Sequence, residues 1–216
     1  MNILSLCDLT ATALRPWAYA GHTCYAVDIQ HLERHTRDGI TFLPYDVTKL
    51  VDGVESLCGW LDWDLVLCWP PCTDLAVSGA RWMSDKGLTS LVDALAVVDA
   101  CRKIADAAGC PWMLENPVST ISTYWRKPDY TFDPYEFGGY FGGDADGYTK
   151  KTCLWAGGGF KMPERRPIDL DPNTHDRIHK AAPGPERANI RSATPAGFAR
   201  AIFESHRPEV PTTNFH

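Results

Sequence analysis

The chain has 216 residues, 44% hydrophobic and 22% charged, a size and composition suited to one soluble globular domain with a substantial core. Nothing in it approaches the roughly twenty consecutive apolar residues of a membrane span. Its 21 basic and 27 acidic side chains give a net charge of −6, which excludes coating nucleic acid by charge alone and makes any polynucleotide contact a local one.

The opening "MNILSLCDLT" has no basic start and no long apolar segment before a small-residue cleavage site, so it reads as a first strand in a protein that stays in the cytoplasm. "LRPWAYAGH" predicts a short helix ending near Gly21. "TCYAVDI", "TFLPYDV" and "WDLVLCW" predict a second, third and fourth strand. A long amphipathic helix comes next, from about Ser84 to Ala108, with Leu88, Leu91, Val92, Leu95, Val98, Cys101 and Ile104 at helical spacing and therefore expected in the core.

"CPWMLENP" predicts a fifth strand that ends in a polar pair. From about 120 to 150 the texture is aromatic, Pro-rich and Gly-rich without a period, which predicts an irregular excursion. "KTCLWAGGGF" returns as a strand, and "TPAGFARAIFESH" predicts a last helix with Pro195 near its first turn. The alternation of strands and helices predicts an α/β fold with a mostly parallel, twisted sheet flanked by helices. One domain is expected over 1–208, with a tail at 209–216.

Eight cysteines scattered through such a chain read as reduced thiols, and Cys7, Cys24, Cys68, Cys101 and Cys153 as small buried hydrophobes. Paired C-x-x-C spacings are absent and Pro70 and Pro71 stiffen the gap between Cys68 and Cys72, so no metal is expected. The pairs His31/His35 and His175/His179 read as exposed helix faces.

In open α/β sheets ligands bind beyond the carboxyl ends of the strands. Asp8 and Thr10 come after the first strand, Asp28 after the second, Asp46 after the third, Pro70, Pro71 and Cys72 after the fourth, and Glu115 and Asn116 after the fifth. Asp28 has the position of a carboxylate that holds ribose hydroxyls, and equally that of a helix cap. A cysteine and a glutamate on adjacent strand ends pair a nucleophile with a group able to hold a proton, a combination suited to attack on an electron-poor ring.

"PPCTDLAVSG" resembles the Pro-Pro-Cys motif of the DNA cytosine-5 methyltransferases, and "ENP" resembles their Glu-Asn dipeptide. The order of "DLT", Asp28, Asp46, Cys72, Glu115 and a terminal "RSATPAGFARAI" is also similar, most of all to the short methylase-like proteins of bacteriophages, which would act in the host cytoplasm. The resemblance implies a Rossmann-like methyltransferase fold without a separate target-recognition domain. It implies that Cys72 attacks carbon 6 of a flipped or single-stranded cytosine in DNA while Glu115 protonates or hydrogen-bonds ring nitrogen 3, with Asn116 orienting the Glu115 loop. S-adenosylmethionine would be held by Asp8, Thr10, Asp28, Asp46, Pro70, Arg191 and Ser192. Ser78, Arg81, Lys150 and Lys151 would contact substrate.

The chain departs from that family in three places. Thr10, Ala11, Thr12 and Ala13 stand where glycines usually form the first turn, which keeps a methylene-tetrahydrofolate donor and hydroxymethyl transfer open. Too little sequence lies beyond "TKKTCLW" for a recognition domain, leaving DNA affinity to local basic and aromatic residues such as Tyr124 to Tyr140 with Arg126 and Lys127, or to a protein partner or an oligomer. The family's downstream arginine motif has no clean match, with Arg81, Lys151 and Arg191 as substitutes. A one-carbon transferase for free pyrimidine nucleotides and a catalytically silent binding module are the competing classes.

Overall fold

Strand β1 (Asn2–Leu6) occupies the centre of the molecule because its sequence, NILSL, is apolar toward both faces. Ile3, Leu4 and Leu6 are fully buried, and a strand of that kind is stable only between two covering layers. The structure is a computed structural model that describes residues 1–50, 62–77, 83–142, 144–178 and 192–208. Ser78, Arg81, Arg191, His179 and the 209–216 tail lie outside the described residues.

Around β1 runs an eight-stranded sheet that includes β2 (Thr23–Val27), β3 (His35–Arg37), β4 (Ile40–Leu43), β5 (Leu65–Cys68), β6 (Trp112–Pro117), β7 (Tyr130–Phe132) and β8 (Thr152–Gly157), in the order β3-β4-β2-β1-β5-β6-β8-β7. β4, β2, β1, β5 and β6 are parallel, while β3, β8 and β7 pair antiparallel at the two ends. From β1 the chain moves outward first toward β2 and β4, then crosses to β5 on the other side. That reversal puts a topological switch point between the carboxyl ends of β1 and β5, where open α/β sheets place their ligand crevice.

Helices cover both faces. A 3-10 turn (Thr12–Leu14) leads into α1 (Arg15–Tyr19), and these pack with the last helix, α5 (Ala196–His206), over Ile3, Leu65, Leu67 and Met113. On the opposite face α2 (Val47–Leu50), α3 (Met83–Ala107) and α4 (Ile121–Tyr124) cover Leu4, Leu6, Val66, Cys68 and Leu114. Gly197 fixes α5 in place. A Cβ there would lie 2.2 Å from the Phe137 carbonyl oxygen, and its N–H donates to the Asp146 carboxylate. Among the described residues no helix is long and apolar enough to cross a membrane.

Four sequence expectations are corrected. His35 lies in β3, not on a helix, and His31 is buried with its ring edge-on to Phe42. Leu88 and Val92 are 81% and 61% exposed, just after Gly87 (φ 77°) breaks the helical path, while Val98, Cys101 and Ile104 are core and Leu91 and Leu95 pack partly buried against it. Glu115 and Asn116 belong to β6 itself, just before its last residue, paired with Leu154 and Cys153. The 120–150 excursion contains α4, β7 and a 3-10 turn (Pro134–Tyr140) capped reciprocally by Asp133 and Glu136.

Candidate active site

At the carboxyl end of β5 the chain turns through Trp69, Pro70 and Pro71 into a tight bend at Cys72, whose carbonyl accepts from the N–H groups of Leu75 (3.1 Å) and Ala76 (2.8 Å). Two prolines remove backbone donors and fix φ, so the bend is held by the residues after it, Leu75 to Val77. Those residues are tied to the end of β6 and the turn beyond it. Thr120 N–H donates to the Leu75 carbonyl (3.0 Å), Val77 N–H to the Val118 carbonyl (3.1 Å), and Ala76 bridges Ser119.

Asn116 closes the same seam from below. Its side chain is fully buried, and Nδ2 donates to the Pro70 carbonyl at 3.0 Å. The opposite oxygen, Oδ1, and the buried Ser119 hydroxyl have no partner among the described residues. A buried polar atom without a partner costs about 1–3 kcal/mol, so the seam carries an uncompensated polar cost at both positions.

Glu115, next to Asn116, is 14% exposed, and burial pushes its carboxyl above the usual range. Lys150 Nζ stands 4.0 Å from Oε1 and opposes that rise. Lys150 is itself 12% exposed, and its backbone N–H is fixed to Asp133 Oδ1 at 2.7 Å. The partner of Glu115 is therefore Lys150; Lys151 is exposed.

On the other side of the crevice, Asp8 is 4% exposed. Burial raises its pKa against two opposing hydrogen bonds, from Ser5 Oγ to Oδ2 and from Ala11 N–H to Oδ1, each 2.7 Å. The glycine-free turn nevertheless adopts a glycine-like backbone: Ala11 has φ 53° and ψ 25°. An alanine there costs about 1–2 kcal/mol of local strain, which the surrounding packing of Ala11, Ala13 and Leu14 offsets. Thr10 is exposed at the mouth of the turn, its hydroxyl 3.0 Å from that of Thr12.

Asp28 is 7% exposed at the end of β2 and accepts from Gln30 N–H at 2.8 Å through Oδ1. Ile29 beside it is 68% exposed, and the buried His31 Nε2 has no partner among the described residues. Asp46 is less committed to the crevice. Its Oδ1 caps α2 through the Thr48 hydroxyl and N–H, which hold its carboxyl below the usual range. Ser192 is exposed ahead of α5, which itself packs against the Thr12–Leu14 turn.

The sequence reading thus converges on Asp8, Pro70, Cys72, Glu115 and Asn116, with Asp28 on the strand next to β1. It missed Ser5, Trp69 and the pairing of Lys150 with Glu115. A polar residue inside an otherwise apolar strand was the available signal for Ser5. Cys68, four residues before Cys72, is fully buried against α3, as expected of core. Cys7 and Cys101 lie on the same face with sulfurs 3.7 Å apart, and that contact and burial push the Cys7 thiol well up, so it stays protonated.

No protein-family model matches the chain, and no curated protein matches it.

Proposed function

We propose that the protein is a one-carbon transferase of the Rossmann-like methyltransferase type that modifies carbon 5 of cytosine in DNA. The observation that carries this reading is the seam between the Cys72 bend and the Glu115–Asn116 strand end, where Asn116 holds Pro70 and Glu115 is buried with a raised pKa.

In the proposed reaction the Cys72 sulfur bonds to carbon 6 of a cytosine that is flipped out or single-stranded. Glu115 gives its proton to ring nitrogen 3, so the electron pair displaced by the sulfur is available at carbon 5. S-adenosylmethionine, when bound, supplies an electrophilic methyl group. Solvent then takes the carbon 5 proton, the freed electron pair re-forms the carbon 5–carbon 6 double bond as the Cys72 thiolate leaves, and nitrogen 3 returns its proton to Glu115. Lys150 keeps the Glu115 proton mobile by opposing the effect of burial.

The residues of the crevice fit such a donor. Asp28 has a carboxylate oxygen left for a hydroxyl, Ile29 offers an exposed apolar surface beside it, and His31 Nε2 is an unpartnered buried polar atom nearby. Asp8 and Thr10 lie in the turn after the neighbouring strand β1.

A second reading, a free pyrimidine nucleotide as substrate with a methylene-tetrahydrofolate donor, is favoured by the fate of the aromatic excursion. Arg126 is spent on Asp129 and on the Ala156 carbonyl, and Tyr140 on the Glu164 carbonyl under the Arg166 guanidinium. The segment's arginine is thus engaged and not open to phosphates, while Tyr124, Trp125 and Tyr130 keep exposed ring surface.

Mass analysis of nucleosides from cells producing the protein separates these readings. The proposal expects 5-methylcytosine in DNA, dependent on Cys72. Modified pyrimidine confined to the nucleotide pool, or a hydroxymethyl group, would favour the second reading, and no change at any pyrimidine would sink both.

A further inference from the structure

The polar residue inside β1 has a use that the chemistry of Cys72 and Glu115 leaves unassigned. Ser5 is fully buried, on the sheet face that carries Ile3 and Leu67. A serine there loses strand packing, and its hydroxyl must be satisfied internally. It is satisfied twice: Ser5 Oγ accepts from the Trp69 indole Nε1–H at 3.0 Å and donates to Asp8 Oδ2 at 2.7 Å. Asp8 Oδ1 in turn accepts from Ala11 N–H.

Trp69 is the residue before Pro70, and Pro70 is held by Asn116. A continuous polar line therefore runs from the turn after β1, through Ser5 and Trp69, to the Cys72 bend and the end of β6. It links the carboxyl ends of the neighbouring strands β1 and β5, at the switch point of the sheet. The backbone already joins these strands through Trp69 N–H to the Leu6 carbonyl, 3.0 Å. The indole adds a second, rigid tie, reaching the first turn from the strand that carries the nucleophile.

We infer that Ser5 and Trp69 are positioning residues that hold the turn after β1 and the Cys72 bend in a fixed relation, so that the transferred carbon meets carbon 5 of the ring. This rests on the proposed function. The two reactions open to the site depend on that relation differently. Exchange of the carbon 5 hydrogen with solvent needs only Cys72 addition at carbon 6, a solvent deuteron added at carbon 5, loss of the original proton and departure of the thiolate. Transfer also needs the donor in line, and small misplacement of reacting groups costs on the order of 10²-fold.

The test compares wild type with Trp69→Phe, which keeps an aromatic ring and deletes the N–H donor, and with Ser5→Ala. Hydrogen exchange at carbon 5 is measured in a cytosine oligonucleotide without donor, and single-turnover methyl transfer with saturating S-adenosylmethionine. If wild type transfers only from methylene-tetrahydrofolate, that donor is used and the expectation is the same. Exchange should stay within about 3-fold of wild type while transfer falls about 10-fold or more. Equal losses in both reactions, or transfer at the wild-type rate, would overturn the inference while leaving the proposed function standing. Thermal melting identifies a Ser5→Ala protein that does not fold, in which case Trp69→Phe alone decides. A wild-type protein inert in both reactions would overturn the proposed function, and this inference with it.

Discussion

The carboxyl edge of β1, β5 and β6 and the aromatic excursion at 120–150 both carry polar and aromatic residues with the potential for chemistry, but they use them in opposite ways. In the excursion the groups satisfy one another. Arg126 forks onto Asp129 and lies 4.7 Å over the Trp125 ring, Trp155 Nε1 donates to the Arg126 carbonyl, and Phe132, Phe137 and Phe198 form one buried cluster. Arg126 is bonded to Ala156, which pairs with Met113 toward the amino end of β6 and away from Glu115. At the strand ends, burial is combined with incomplete satisfaction: Asn116 Oδ1 and Ser119 Oγ lack partners among the described residues, and Glu115 is buried with a raised pKa. Such costs are expected where function requires them, although Trp17 Nε1 is unpartnered and Asp146 is raised by burial elsewhere in the molecule.

The sharpest way to break this contrast is Cys72→Ala. It should lower one-carbon transfer by on the order of 10³-fold or more, with stability changed by no more than about 1 kcal/mol, as read by rate assay and thermal melting. Next comes Glu115→Gln, expected to slow transfer by about 10²–10⁴-fold. The same substitution should stabilise the fold near neutral pH. The sign comes from the raised pKa: the folded state binds the extra proton, so stability falls as pH rises from the unfolded pKa through the folded one, and the full penalty is present above it. Glutamine removes that penalty, and a denaturant titration at neutral pH checks it.

Lys150→Met tests the pairing at Glu115 with a smaller effect. Without the ammonium the Glu115 carboxyl is pushed higher still, so the acid form persists further and the alkaline fall in rate moves to higher pH. A pH–rate profile shifted the other way would contradict the pairing. The least effect is expected from Trp125→Ala in the excursion. It should cost about 1–3 kcal/mol of stability and leave transfer within about 2-fold of wild type. A large loss of rate in a folded Trp125→Ala protein would erase the distinction between the two regions.

The central strands were legible because "NILSL" and "DLVLC" are apolar on both faces, a pattern that only a covered parallel sheet accommodates. The β3–β4 hairpin was overlooked, although it carried its signal. Asp38 and Gly39 both have positive φ, at 52° and 76°, as a two-residue type I′ turn requires, and "RDGI" spells that turn. What hid it was β3 itself, three exposed residues without an apolar face.

Cys72, Glu115 and Asn116 were readable as strand-end residues. The bond from Asn116 to Pro70 was not, since it spans 46 positions and depends on β5 and β6 being neighbours. Lys150 beside Glu115 was equally hidden, because β8 returns antiparallel to β6, and strand direction leaves no mark in local sequence. Ser5 and Trp69 show the same limit: their bond spans 64 positions and forms only because β1 and β5 are neighbours.

The central claim is that Cys72 is a nucleophile toward carbon 6 of a cytosine. Its most direct measurement is mass spectrometry of the protein after incubation with a 5-fluorocytosine oligonucleotide and S-adenosylmethionine. Fluorine cannot leave carbon 5 as a proton does, so a methylated ring stays bonded to the attacking sulfur. The account predicts a covalent oligonucleotide adduct mapping to Cys72 and lost in Cys72→Ala. An adduct on another residue, or unmodified Cys72 in a protein that methylates ordinary cytosine, would contradict it.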